Sequence, residues 1–123
     1  MQTSVNWFEI ATKDLTRAAR FYEAVFATRL RLEALEEESP MAIFTRDDGQ
    51  SVGCLTGGDW IEPSPQGTLV YLDAGPDIQA VIDRIVPAGG KVALPKTQLP
   101  KDLGYICQFI DTEGNRVALH AMN

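Results

Sequence analysis

Histidine is nearly absent from this sequence: His120 is the only one in the chain. The two cysteines, Cys54 and Cys107, stand far apart with no Cys-x-x-Cys spacing. A closed Cys/His zinc centre needs four such donors and the chain has three, so none can be assembled. The same two thiols are expected to be reduced, buried and inert in a cytoplasmic protein. No run approaches the roughly 20 apolar residues of a membrane helix. The opening "MQTSVNWFEI" has no basic stretch ahead of an apolar one, so no secretory leader is expected. Positive charge is in deficit, with 11 Lys and Arg against 17 Asp and Glu and a net charge of −6. Such a surface repels phosphate backbones and argues against nucleic acid as the main partner. It suits a cationic small molecule, and it equally suits solubility alone. The glycine pairs Gly57-Gly58 and Gly89-Gly90 fit neither phosphate-loop pattern and read as turn and helix-stop signals.

What is present is a repeat. "FTRDDGQSVGCL" (Phe44 to Leu55) and "FIDTEGNRVALH" (Phe109 to His120) share one layout, with Gly49 answering Gly114, Gln50 answering Asn115 and Val52 answering Val117. Upstream of each, a strand and a helix recur. "VNWFEIA" alternates as a strand does, and "DLTRAARFYEAVF" follows with Asp14 as N-cap and Leu15, Ala18, Ala19, Tyr22 and Phe26 at helical spacing. "LRLEALEE" reads as a strand or hairpin arm, and the glutamates of "EALEEES" as a solvated stretch. "DWIEPSPQG", with Pro63 and Pro65, reads as a linker. Then "TLVYLDA" is a strand and "DIQAVIDRIVPAGG" a single helix capped by Asp77, with Ile78, Val81, Ile82 and Ile85 on one face. "PKTQLPKDLGY" reads as a loop near a site mouth, with Lys96, Lys101 and Tyr105 in reach of a ligand or simply solvated.

The expected fold is therefore α+β: one domain, residues 1–123, made of two tandem βαβββ modules at about 1–60 and 66–123. Each module puts one sheet face under its helix, and the other faces form a curved mixed sheet with a central trough, a natural ligand site. Strand alternation sends Phe8 and Ile10 to the helix and Trp7 and Glu9 to the trough.

"WFEIATKDLTRAARFYEAVF", "VIDRIVPAGGKV" and "FIDTEGNRVALH" together resemble the vicinal oxygen chelate (VOC) superfamily, which includes glyoxalase I, bleomycin resistance proteins and extradiol dioxygenases. The resemblance covers nearly the whole chain. It implies metal ligands, usually His, Glu or Gln, at four trough positions. Where such proteins often read "HFEI", this chain reads "WFEI", putting Trp7 in the first slot. Where they often read "GNxxEL", it reads "GNRVAL", putting Ala118 in the last. The repeat carries these positions to Gly53 and about Leu69. None of Trp7, Gly53, Leu69 and Ala118 binds a divalent cation through its side chain. No cofactor is expected, a divalent metal being the alternative.

Several trough residues have two roles open to them. Glu9 is a general base if its carboxyl is desolvated, or a rim carboxylate paired with a cation. Trp7 stacks on a planar or cationic ligand, or fills the slot as core. His120 is a base or an ordinary surface histidine near the chain end. Tyr71 and Tyr105 are ligand contacts, with Tyr71 requiring Val70 and Leu72 to face the second helix. Cys54 alternates away from Gly53 and so belongs to the core, as does Cys107.

Three functions compete. The first is a metal-free protein binding a small organic ligand in the trough. The resemblance implies that it pairs as a homodimer, which would also protect exposed sheet edges. The second is a VOC-type enzyme acting on a small carbonyl compound with Glu9 as base. The third is a structural or regulatory module whose trough is filled by its own side chains.

Overall fold

A computed structural model describes residues 1–34 and 40–123. The expectation for "EALEEES" therefore lies mostly outside the described residues. The first module runs β1 (Phe8–Ala11), α1 (Leu15–Phe26), β2 (Arg31–Glu33), β3 (Met41–Thr45) and β4 (Ser51–Thr56). The second runs β5 (Tyr71–Asp73), α2 (Ile78–Ile82), α3 (Ile85–Ala88), β6 (Lys91–Gln98), β7 (Tyr105–Ile110) and β8 (Arg116–Ala121). Each module carries its own four-stranded mixed sheet, ordered β1-β4-β3-β2 and β5-β8-β7-β6. In both, the first and last strands pair in parallel and the others antiparallel.

The caps fall where the sequence placed them. Asp14 accepts from the Arg17 amide and Asp77 from the Gln79 amide. The second helix is broken, however, with α2 ending before Asp83 and α3 starting at Ile85. Pro87 explains the break: it has no N–H to give the Asp83 carbonyl, and its ring crowds that carbonyl. The expected loop at Pro95 is also corrected, since β6 continues through Gln98. Proline is tolerated there because β6 is an edge strand whose register slips between Leu94 and Thr97.

One core serves both modules. Phe21 and Tyr22 of α1 meet Phe109 of β7 with ring centroids 5.8 and 6.1 Å apart, while Tyr22 also meets Phe44 of β3 edge-on at 5.5 Å. Ile10 and Leu55 of the first sheet join Ile78, Ile85, Cys107 and Leu119 of the second in the same cluster. The helices thus lie on the shared side, and the opposite face of each sheet is open. Fully burying side chains of this size contributes about 1.5–3 kcal/mol each. The aromatic cluster is what holds the modules as one body.

Candidate functional site: the open sheet faces

On β1 the alternation is as the sequence implied: Ile10 is buried in the core with Phe8 packed against it, and Glu9 is exposed on the other side. On β4 it is not. Gly53 stands opposite Phe8, and a Cβ built there would lie 2.5 Å from the Phe8 ring. Gly53 therefore belongs to the helix face, and the trough slot assigned to it is corrected to Cys54. Cys54 stands opposite Glu9, with its Sγ 3.9 Å from Glu9 Oε2. The reason is a β-bulge. Phe44 pairs with Gly53 but Thr45 pairs with Ser51, so Val52 is an extra residue in β4. One extra residue flips every later side chain to the other face. The second hairpin has no such insertion: Phe109 pairs with Val117 and Ile110 with Arg116.

The two modules then superpose by role. Ile10 opposite Leu55 answers Leu72 opposite Leu119, so Glu9 with Cys54 answers Tyr71 with Ala118. Extending the same alternation one residue before β1 and two before β5, the open-face slots read Trp7, Cys54, Leu69 and Ala118. Trp7, just before β1, is 42% exposed, and Tyr71, on the edge strand β5, is 45% exposed. Cys54 is fully buried all the same; burial first, and then the neighbouring Glu9 carboxylate, push its thiol up to about 11. Cys107, on the helix face, is raised to about 11 by burial alone. Neither is a ready thiolate.

Other candidates are dispersed. His120 follows Ala118 on the open face, but its Nε2 lies 2.7 Å from the Leu103 carbonyl, tying it to the turn before β7. It shares no hydrogen bond with Glu9, which is carried on the other sheet. Tyr105 is corrected: it packs against the shared core, opposite Ala121, with the Lys96 ammonium 4.4 Å from its ring centroid. It does not line the open face.

Sequence reasoning missed the buried polar corner in the β7–β8 turn. Glu113 accepts from the backbone amides of Lys13 and Asp14, both at 2.8 Å, and from Arg17 Nε at 2.8 Å. Burial alone would raise its carboxyl, but these bonds and one from Thr112 outweigh it and hold it at about 2. The Tyr22 hydroxyl donates to Asp111 Oδ2 at 2.8 Å. Its ionisation is pushed well above the usual range by burial and then by Asp111. Asn115 Nδ2 donates to the Ala11 carbonyl, and Asn115 Oδ1 accepts from the Ser64 amide. The "DTEGN" string differs from its repeat partner "RDDGQ" at these residues, the one signal available in the sequence.

Beside this corner, the β1 edge, the linker and the start of β8 enclose a cleft of about 150 Å³ lined by Glu9, Glu62, Thr68 and Arg116 among others. Among the described residues, no group of three or more His, Cys, Asp or Glu side chains is placed to hold a metal ion.

The model of the Glyoxalase/Bleomycin resistance protein/Dioxygenase superfamily matches residues 4–119 of this chain. The chain belongs to that superfamily. Among curated proteins, the putative glyoxylase CFP32 of Mycobacterium bovis and that of Mycobacterium tuberculosis are each 25% identical over 126 residues, covering 99% of this chain and 47% of theirs. The chain thus spans about half the length of the curated relatives it matches. Among solved structures, a glyoxalase I variant from Zea mays is 21% identical with TM-score 0.71, covering 94% of this chain and 46% of that one. A variant of the fosfomycin resistance protein FosX from Listeria monocytogenes, complexed with Mn(II) and a dihydroxypropylphosphonic acid, is 17% identical with TM-score 0.64, covering 98% and 91%. These likenesses carry the fold. The superfamily's metal does not fit the slot side chains found here: an indole, an isobutyl and a methyl group offer no hard or borderline donor, and the single Cys54 thiol does not make a ligand set. No helix among the described residues is long and apolar enough to cross a membrane.

Proposed function

We propose that this superfamily member is a metal-independent protein that binds a small organic ligand on the open sheet faces and works as a homodimer in the cytoplasm. One observation carries the reading: the four slots hold Trp7, Cys54, Leu69 and Ala118, beside exposed aromatic side chains. Apolar and aromatic contacts there bind a ligand without a Lewis acid. Among the described residues the outer edge of β5 carries no strand partner, and pairing with a second copy would cover it. Two unpaired, buried thiols suit a reducing compartment. Native mass spectrometry on protein purified without chelators tests this. A metal-free dimer, alone or with an organic adduct, is expected. One tightly held Zn, Ni, Mn or Fe per chain would overturn it.

A second reading, a proton-transfer enzyme acting on a small carbonyl compound, is favoured by Glu9, an exposed carboxylate with no cationic partner among the described residues. In that case Glu9→Gln abolishes turnover while thermal stability stays intact. Unchanged turnover removes Glu9 from the role.

A further inference from the structure

The cleft beside β1 holds opposite charges that do not pair. The ion pairs among the described residues join Arg17 to Glu113, Arg31 to Glu33 and Arg46 to Asp48, leaving Glu9, Glu62 and Arg116 without charged partners. All three of these line the one cleft. Ions of opposite sign within reach of each other at a protein surface attract by about 4 kcal/mol at 4 Å. Here Arg116 is drawn aside: its Nη1 donates to Gln108 Oε1 at 3.1 Å. The wall between the charges is firm, because Asn115 spends its amide on Ala11, Asp111 and Ser64.

We propose that this cleft binds a small zwitterion, its ammonium group against Glu9 and Glu62 and its carboxylate against Arg116. The cleft shares Glu9 with the open face but none of its four slot residues, so the proposal adds a polar subsite beside that ligand site and rests on the ligand-binding reading. A lone anion would meet two carboxylates, and a lone amine would meet a guanidinium. Only a ligand carrying both charges satisfies both walls through charge-assisted hydrogen bonds. At about 150 Å³ the cleft is below the 300–1,000 Å³ of sites for drug-sized molecules, so the ligand is of amino-acid size. The Thr68 side chain adds a polar group to the lining.

The test is amide-resolved NMR titration of the full chain with three isosteres: L-valine, isobutylamine and isovalerate. L-valine should shift the Ile10, Ala11 and Arg116 amides saturably and bind at least about tenfold tighter than either single-charge analogue. Arg116→Met should erase its advantage over isobutylamine, and the double variant Glu9→Gln/Glu62→Gln its advantage over isovalerate. Each variant's own spectrum reports whether it is folded. Equal binding of the three probes, or no saturable shift from L-valine, overturns the zwitterion site. A neutral planar probe, 2-naphthol, separates the two readings. If it still shifts the Tyr71 and Ala118 amides, the wider binding function stands and only the zwitterion is lost; if it too is silent, both fail.

Discussion

Glu113 Oε2 lies 2.8 Å from Arg17 Nε, and this pair bolts the last turn of the second module to the first helix of the first. The Glu113 side chain is fully buried and Arg17 is half exposed. Three further donors complete the carboxylate's shell. Glu113→Ala strips this shell and leaves two backbone amides at the start of α1 without an acceptor. A loss of about 2–3 kcal/mol is expected, read as a lower midpoint in urea unfolding with an unchanged slope.

The same carboxylate sets an acid limit. Its folded value of about 2 lies below the ordinary 4.5, so its contribution is complete above about 4.5 and disappears as pH falls toward 2. Wild type should therefore lose stability more steeply than Glu113→Gln across that window. Parallel pH profiles for the two proteins in thermal unfolding would show that the carboxylate's charge is not what is being stabilised.

Tyr22→Phe removes one hydroxyl and leaves Asp111 Oδ2 with one donor, Asn115 Nδ2, in a buried site. The ring contacts with Phe21, Phe44 and Phe109 are kept. A cost of about 1.5–3 kcal/mol is expected from a hydrogen bond to a charged group. A change below a few tenths of a kcal/mol would mean that water replaces the hydroxyl.

Gly53→Ala distinguishes the two faces of β4 directly. With Gly53 under the Phe8 ring, a methyl group forces that ring aside and costs about 1–3 kcal/mol. Were Gly53 on the open face, alanine would be accommodated without loss.

Both thiols should resist modification. Cys54 and Cys107 are buried and raised to about 11, so a thiol reagent at pH 8 should leave the folded chain untouched and titrate two thiols after unfolding. Rapid native labelling of Cys54 would show that its face opens.

The sequence by itself determined every element that depends on neighbours along the chain. Asp14 and Asp77 cap helices because a carboxylate immediately before an apolar stripe has the amides two or three residues on to accept from. Phe8, Glu9 and Ile10 alternate because a strand has period two. The repeat, and the family to which it belongs, follow from the order of such elements. The tertiary structure decided what depends on chain-distant partners. Val52 looks no different from its neighbours, yet its bulge moves Gly53 under Phe8 and places Cys54 beside Glu9, because register is settled by pairing with β3. Tyr105 carried no mark separating a core ring from a ligand contact. Asp111, Glu113 and Asn115 read as an ordinary turn until α1 and β1 come against them from about a hundred residues away. Local periodicity is written in consecutive residues. The burial that gives a carboxylate or a thiol its character comes from surfaces that meet only when the modules pack.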